Sequence, residues 1–170
     1  MPDGPLLALT GFMGVGKTSV ARHLAHLLGT KKVDLDSEIE SSHRRTIAEI
    51  IDSEGDMIFR EVEAAVLRSV VGDSKPGVLS LGGGTWTVPE NRGVIKAAGY
   101  RVIWLESSFE HCWINIKFSR KDRPLGRDKA STRQLFQERQ SHYCLADWHF
   151  IVRPDHTSIE VARQIIEQLQ

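Results

Sequence analysis

The sequence predicts a single α/β domain: a three-layer sandwich with a five-stranded parallel sheet between two layers of helices. Five short apolar runs of strand length alternate with segments of helical periodicity. Such alternation marks parallel strands joined by crossover helices that cover both faces. The 170 residues, 41% of them hydrophobic, fill one substantial core and leave little material for a second.

Strands are expected at residues 6–10, 32–34, 78–81, 101–105 and 149–152. After the first comes TSVARHLAHLL, a helix closed by Gly29 at its carboxyl end. TIAEII follows the second strand, opened by a capping box of Thr46 and Glu49. MIFREVEAAVLRSVV is the longest apolar-periodic stretch, and SIEVARQIIEQLQ ends the chain behind a second capping box, Thr157 with Glu160. Residues 119–131, SRKDRPLGRDKAS, crowd charges around a Pro and a Gly and predict a surface loop instead of an element.

Lys+Arg and Asp+Glu both number 22, so no net field favours a nucleic acid or an acidic membrane. Cys112 and Cys144 lack the spacing of a redox or zinc pair and read as ordinary thiols. The amino terminus, MPDGPLLALT, has neither a basic segment nor an apolar run long enough for a signal peptide or a span. A cytoplasmic protein is expected.

Residues 11–18, GFMGVGKT, fit G-x-x-x-x-G-K-[ST] and stand directly between the first apolar run and a helix. Glycines let the backbone curl so that amides and the helix amino terminus face an anion; Lys17 reaches the β and γ phosphates, and the Thr18 hydroxyl can meet Mg²⁺. The phosphate-binding set is Gly14, Val15, Gly16, Lys17, Thr18 and Ser19. With a nucleotide there, the 119–131 loop reads as a mobile lid that brings arginines over it.

Asp52-Ser-Glu-Gly55 fits the D-x-x-G of switch GTPases only superficially, because it closes a helical pattern and no N-K-x-D follows. Asp34 and Asp36 end the second strand, at the sheet edge where α/β folds bind ligands. One carboxylate there can serve the metal's water shell and the other an acceptor hydroxyl; the competing reading makes Asp36 a helix N-cap. Arg60 and Glu63 are three apart on one helical face, either as a surface pair or as a guanidinium fork held in position. Gly82, Gly83 and Gly84 follow the third strand and permit close backbone approach to a ligand.

Taken in order, GFMGVGKT, DLD, FREVE, LGGG, DRPL and ERQSHY resemble the shikimate kinases over nearly the whole chain, from Gly11 to about Asp147. The resemblance implies a P-loop, nucleoside-monophosphate-kinase-like fold and transfer of the ATP γ-phosphate to the 3-hydroxyl of shikimate, a step of aromatic amino acid biosynthesis. It implies ATP, Mg²⁺ and a small-molecule substrate; a monomer without nucleic-acid or membrane partner is expected. It also implies roles. Asp36 binds acceptor hydroxyls and is the candidate base, while Asp34 supports Mg²⁺ through water with Thr18. Arg60 and Arg139 clamp the shikimate carboxylate, Glu63 orients Arg60, and the amides of Gly82, Gly83 and Gly84 meet ring hydroxyls. Arg123 approaches the transferring phosphoryl group, and residues 34–63 form an acceptor subdomain. Lys17, Asp36 and Arg123 are the expected catalytic residues.

The chain departs from the family's pattern in three places. Arg139 and Tyr143 keep the R-x-x-x-Y spacing, but Ala146 arrives one residue early; the lid is short before Arg123, with Arg120 a candidate for the adenine-stacking arginine; and RPDHTS matches weakly where relatives contact adenine. The four tryptophans and His142 read as packing and helix-surface residues. A gluconate or nucleotide kinase of the same fold, and a non-catalytic nucleotide-binding module, are the competing readings. The glycine triplet with paired arginines argues against a nucleotide kinase, and Asp36 with Lys17 against the non-catalytic module.

Overall fold

A computed structural model describes residues 4–170; Met1–Asp3, where the amino-terminal expectation begins, lie outside the described residues. Among them, five strands form one parallel sheet in the order β2-β3-β1-β4-β5: β1 Leu7–Thr10, β2 Lys32–Asp34, β3 Val78–Ser80, β4 Arg101–Glu106 and β5 Trp148–Ile151. The expected strands are all present, their ends moved by one residue at most. Central β1 and β3 are buried on both faces, as a doubly covered parallel sheet requires.

Eight α-helices accompany the strands: α1 Lys17–Leu27, α2 Leu35–His43, α3 Ile47–Glu54, α4 Asp56–Ser69, α5 Pro89–Ala97, α6 Phe109–Phe118, α7 Lys129–Tyr143 and α8 Ser158–Leu169. Both capping boxes form, Thr46 with Glu49 at α3 and Thr157 with Glu160 at α8. Gly29, at φ +62°, ends α1 in the left-handed region that costs glycine least. Gly55, at φ +91°, closes α3, so Asp52-Ser-Glu-Gly55 is a helix end and not a switch motif. The apolar-periodic stretch forms α4 and continues into a π-helical turn at Val70–Ser74.

One competing reading falls and one expectation is corrected. Helix α2 begins at Leu35, and its cap is Asp34, whose Oδ1 accepts from the Ser37 amide at 3.0 Å. Asp36 therefore lies inside the first turn and is not the N-cap. The 119–131 segment is not wholly irregular: Pro124–Gly126 makes a 3₁₀ turn, and Asp128 caps α7 by accepting from the Ser131 amide at 2.9 Å. Residues 129–131 are thus helical. Helix α7 is polar over most of its surface, so it lacks the apolar stripe by which helices are read from sequence.

All strands point the same way, so the turns after β1, β2 and β3 and the 119–131 segment beyond β4 gather at one edge of the sheet. The strand order reverses at β1, with β3 on one side and β4 on the other. Ligands bind α/β sheets at such a reversal.

Candidate active site

Two clefts open at that edge and share a floor. The first, about 940 Å³, is lined by Gly14, Gly16, Lys17, Thr18, Ser19, Asp34 and Asn115. The second, about 570 Å³, is lined by Ile47, Ile51, Phe59, Arg60, Glu63, Gly84 and Arg139. Met13, Asp36, Gly82, Gly83, Lys121 and Arg123 face both.

The loop after β1 adopts the conformation its glycines allow. Gly14 and Gly16 sit at φ +83° and +103°, and a Cβ on Gly14 would come within 2.5 Å of the Cys112 carbonyl oxygen, so the loop is seated against α6. Asn115 of α6 fastens it by donating from Nδ2 to the Gly14 carbonyl at 2.7 Å. The Val15 side chain is buried, and its amide donates to Phe12 O at 3.2 Å; its contribution is to the shape of the loop. Lys17 is buried and donates to the carbonyls of Gly11 and Phe12 at 2.7 and 3.1 Å. Burial lowers its ammonium to about 8, against the carboxylates of Asp36 and Asp34. The protonated form therefore dominates at neutral pH.

Thr18 Oγ1 donates to Asp34 Oδ2 at 2.6 Å, joining the end of the loop to the end of β2. Burial opposes ionisation of Asp34, but the hydrogen bonds from Thr18 and Ser37 outweigh it and hold the carboxyl below the usual range. Asp36 has the opposite balance. Burial pushes its carboxyl up, and the Lys121 ammonium, 3.7 Å away, only partly offsets this. Two carboxylates two residues apart are thus shifted in opposite directions by their surroundings.

Arg60 and Glu63 are no surface pair. Glu63 is 1% exposed, accepts from Arg60 Nη1 at 2.8 Å, and sits beneath the glycine turn. A Cβ on Gly82 would stand 2.7 Å from Asp36 Oδ1, and one on Gly84 would overlap the Arg60 guanidinium. Side chains at these positions would displace the ends of Asp36 and Arg60, so the glycines let both groups lie against the turn. Arg139, 7% exposed, brings Nη1 within 3.1 Å of where a Gly83 Cβ would be, and its guanidinium lies over the Phe12 ring. Arg60 and Arg139 converge on the second cleft from two helices, and Ile47, Ile51 and Phe59 give it an apolar wall. Arg123 lines both clefts, and its Nη1 is buried without a hydrogen-bond partner among the described residues. That donor is left for an acceptor entering the site. Arg120 lines neither cleft.

Three contributors were not singled out in the sequence. Lys121 carries no motif beyond its place in the lid. Thr85 directly follows the glycine triplet, and its buried hydroxyl donates to Glu63 Oε2 at 2.9 Å. Tyr143 stood in the late motif without a role; its hydroxyl donates to the Gly83 carbonyl at 2.6 Å, and burial pushes its pKa up to about 12. Tyr143→Phe is expected to raise KM for the acceptor about threefold to tenfold and to lower Tm by about 2–6 °C, because it strands the Gly83 carbonyl and loosens the turn. Steady-state kinetics and a melting curve check both effects, and an unchanged KM excludes the fastening role. The four tryptophans pack as expected, Trp86 in the core and Trp104 edge-on to His149.

Comparison with known proteins gives a consistent answer. The family model for shikimate kinase matches residues 13–170. A shikimate kinase of Helicobacter hepaticus is 35% identical over 162 residues, 95% of this chain and 93% of its own. One from Brucella canis is 32% identical over 167 residues, 96% and 82% respectively. Among solved structures, a shikimate kinase from Acinetobacter baumannii in complex with shikimate superposes with a TM-score of 0.90 at 32% identity, covering 99% of this chain and 94% of that one.

Proposed function

The chain belongs to the shikimate kinase family, and from that premise we propose that it transfers the γ-phosphate of ATP to the 3-hydroxyl of shikimate, giving shikimate 3-phosphate and ADP for aromatic amino acid biosynthesis. The observation that carries this reading is the shared floor: a phosphate cradle and an arginine-flanked pocket meet at Asp36, Gly82, Gly83 and Arg123. Donor and acceptor bound in these clefts face one another across a carboxylate.

In this reading the first cleft takes the triphosphate, with Gly14, Gly16, Ser19 and the start of α1 offering amides. Lys17 and Arg123 place positive charge where it develops on the transferring group. The second cleft takes shikimate. Arg60 and Arg139 hold its carboxylate, the amides of Gly82, Gly83 and Gly84 meet its hydroxyls, and Asp36 receives the proton of the attacking hydroxyl. The donor set after β1 and β2, a hydroxyl and a carboxylate already in contact, fits Mg²⁺. That ion takes few protein oxygens and completes its shell with water and phosphate. Thr18 and Asp34 would hold it, and it would supply charge neutralisation on the phosphates.

Residues 34–63 act as the acceptor subdomain and residues 119–131 as the lid of one domain. Enclosure by the lid keeps water from replacing the alcohol as acceptor. The same reading makes the protein a cytoplasmic monomer that works without a nucleic-acid or membrane partner. A formal charge of zero favours no polyanionic partner, and among the described residues no helix is long and apolar enough to cross a membrane.

A coupled ADP-release assay offering shikimate, quinate, gluconate and AMP with MgATP tests the assignment; brisk turnover of another alcohol with shikimate untouched overturns it. The acceptor pocket is tested separately. Arg60→Ala should raise KM for shikimate about 10–100-fold, the worth of a charge-assisted pair, and leave KM for ATP within about twofold. An unchanged shikimate KM removes Arg60 from the site.

A further inference from the structure

Arg60 can serve the acceptor only if its guanidinium is held against the glycine turn; Glu63 holds it most closely, with exposed Asp56 at 3.8 Å from the Arg60 Nε, and Glu63 is itself held by one further residue. Glu63 belongs to α4 and has both oxygens committed, Oε1 to Arg60 at 2.8 Å and Oε2 to the Thr85 hydroxyl at 2.9 Å. Thr85 is fully buried, and its hydroxyl stands 3.1 Å from where a Cβ on Gly82 would be, directly under the turn. Its backbone is fixed at both ends. The Thr85 amide donates to Gly82 O at 3.2 Å, and Nδ2 of buried Asn91 on α5 donates to Thr85 O at 3.1 Å. A contact between α4 and the turn after β3 therefore passes through a single hydroxyl whose aim is set by α5.

We infer that Thr85 is a positioning residue for acceptor recognition: through Glu63 it fixes the rotamer of Arg60, and with it the spacing between the Arg60 fork and the amides of Gly82 and Gly83. The inference rests on the reading of Arg60 as a ligand of the shikimate carboxylate. A carboxylate anchored at one oxygen by a rigid turn and at the other by an arginine presents that arginine in one orientation. Anchored by the arginine alone, it can swing with it. Burial raises Glu63 above the ordinary carboxyl range, with Arg60 and Thr85 drawing it back down, so loss of either partner loosens the ion pair. Glu63 faces Arg60 on its own helix, Thr85 on the turn and, farther off, Asp36 on α2. No hydrogen bond joins Thr85 to the 11–18 loop; it meets the shared floor only through Gly82, so its effect should fall mainly on the acceptor side.

The experiment is a set of steady-state measurements on the whole chain with Thr85→Val, Thr85→Ser, Arg60→Ala and the double variant Thr85→Val/Arg60→Ala. Valine matches threonine in shape and removes the hydroxyl. The expected result for Thr85→Val is a rise of about five- to twentyfold in KM for shikimate, with KM for ATP and kcat within about twofold. Serine should restore the wild-type KM. In the Arg60→Ala background the valine substitution should add less than twofold, because the residue through which it acts is gone. A wild-type shikimate KM for Thr85→Val overturns the inference while the Arg60 reading stands. Equal rises in both KM values, or a full additive effect without Arg60, overturn it in favour of general packing. A wild-type shikimate KM for Arg60→Ala overturns the Arg60 reading, and the inference with it.

Discussion

Lys17→Met is expected to lower kcat by about 10³-fold, because it removes a preorganised cation from the group being transferred while keeping the buried stem. The alternative source of such a loss is a damaged fold, and the structure limits it. Lys17 donates to the carbonyls of Gly11 and Phe12, so the substitution leaves two acceptors unpaired, at about 1–3 kcal/mol each. Against that, it relieves the burial that lowers the ammonium to about 8. The two effects oppose one another, and the melting temperature should move by only a few degrees while turnover collapses. Coupled ADP release under saturating substrates, with a parallel melting curve, separates them. A variant within tenfold of wild-type kcat would remove Lys17 from the chemistry and leave it a structural clasp of its own loop.

The parts of the site that were legible beforehand are those that chemistry confines to neighbouring residues. A phosphate cradle has to be built from consecutive backbone groups, so residues 11–18 could be read directly. The capping boxes at Thr46 and Thr157 are equally local, and both form. The glycine triplet could be read as a place of close backbone approach, but not that Asp36, Arg139 and Arg60 come against it from distant helices. Spacing alone left Arg60 and Glu63 open between a surface pair and a held fork. Burial of Glu63 decides it, and that burial is a product of α4 docking beneath the turn. Thr85 was invisible for the same reason: one hydroxyl has no period and no motif, and its meaning lies in a carboxylate 22 positions away.

The amide pattern at α2 shows how a local ambiguity resolves. The competing reading offered Asp36 as the cap, and the chain uses Asp34. Its carboxylate is thereby tied to Ser37 and Thr18. The choice frees Asp36, in the first turn, to face both clefts without a capping duty. An acid placed so has no capping hydrogen bond to hold its carboxyl low, and burial raises it.

That freedom makes Asp36→Asn the most discriminating change in the acceptor half. Asparagine keeps the shape and one acceptor oxygen but cannot take a proton, and since Asp34 carries the cap, α2 should remain intact. If Asp36 withdraws the hydroxyl proton as the bond to phosphorus forms, kcat should fall by about 10²–10⁴-fold, the range for loss of a positioned general base, while KM for shikimate rises less than tenfold. Phosphoryl transfer through a loose transition state asks less of a base than acyl transfer does. A role confined to orienting the hydroxyl would give the reverse split, kcat within about tenfold and KM raised by considerably more. Rapid-quench measurement of the first turnover, with shikimate saturating, reads the chemical step apart from product release. A first-turnover rate within tenfold of wild type would assign Asp36 to acceptor binding alone and leave catalysis to Lys17 and Arg123.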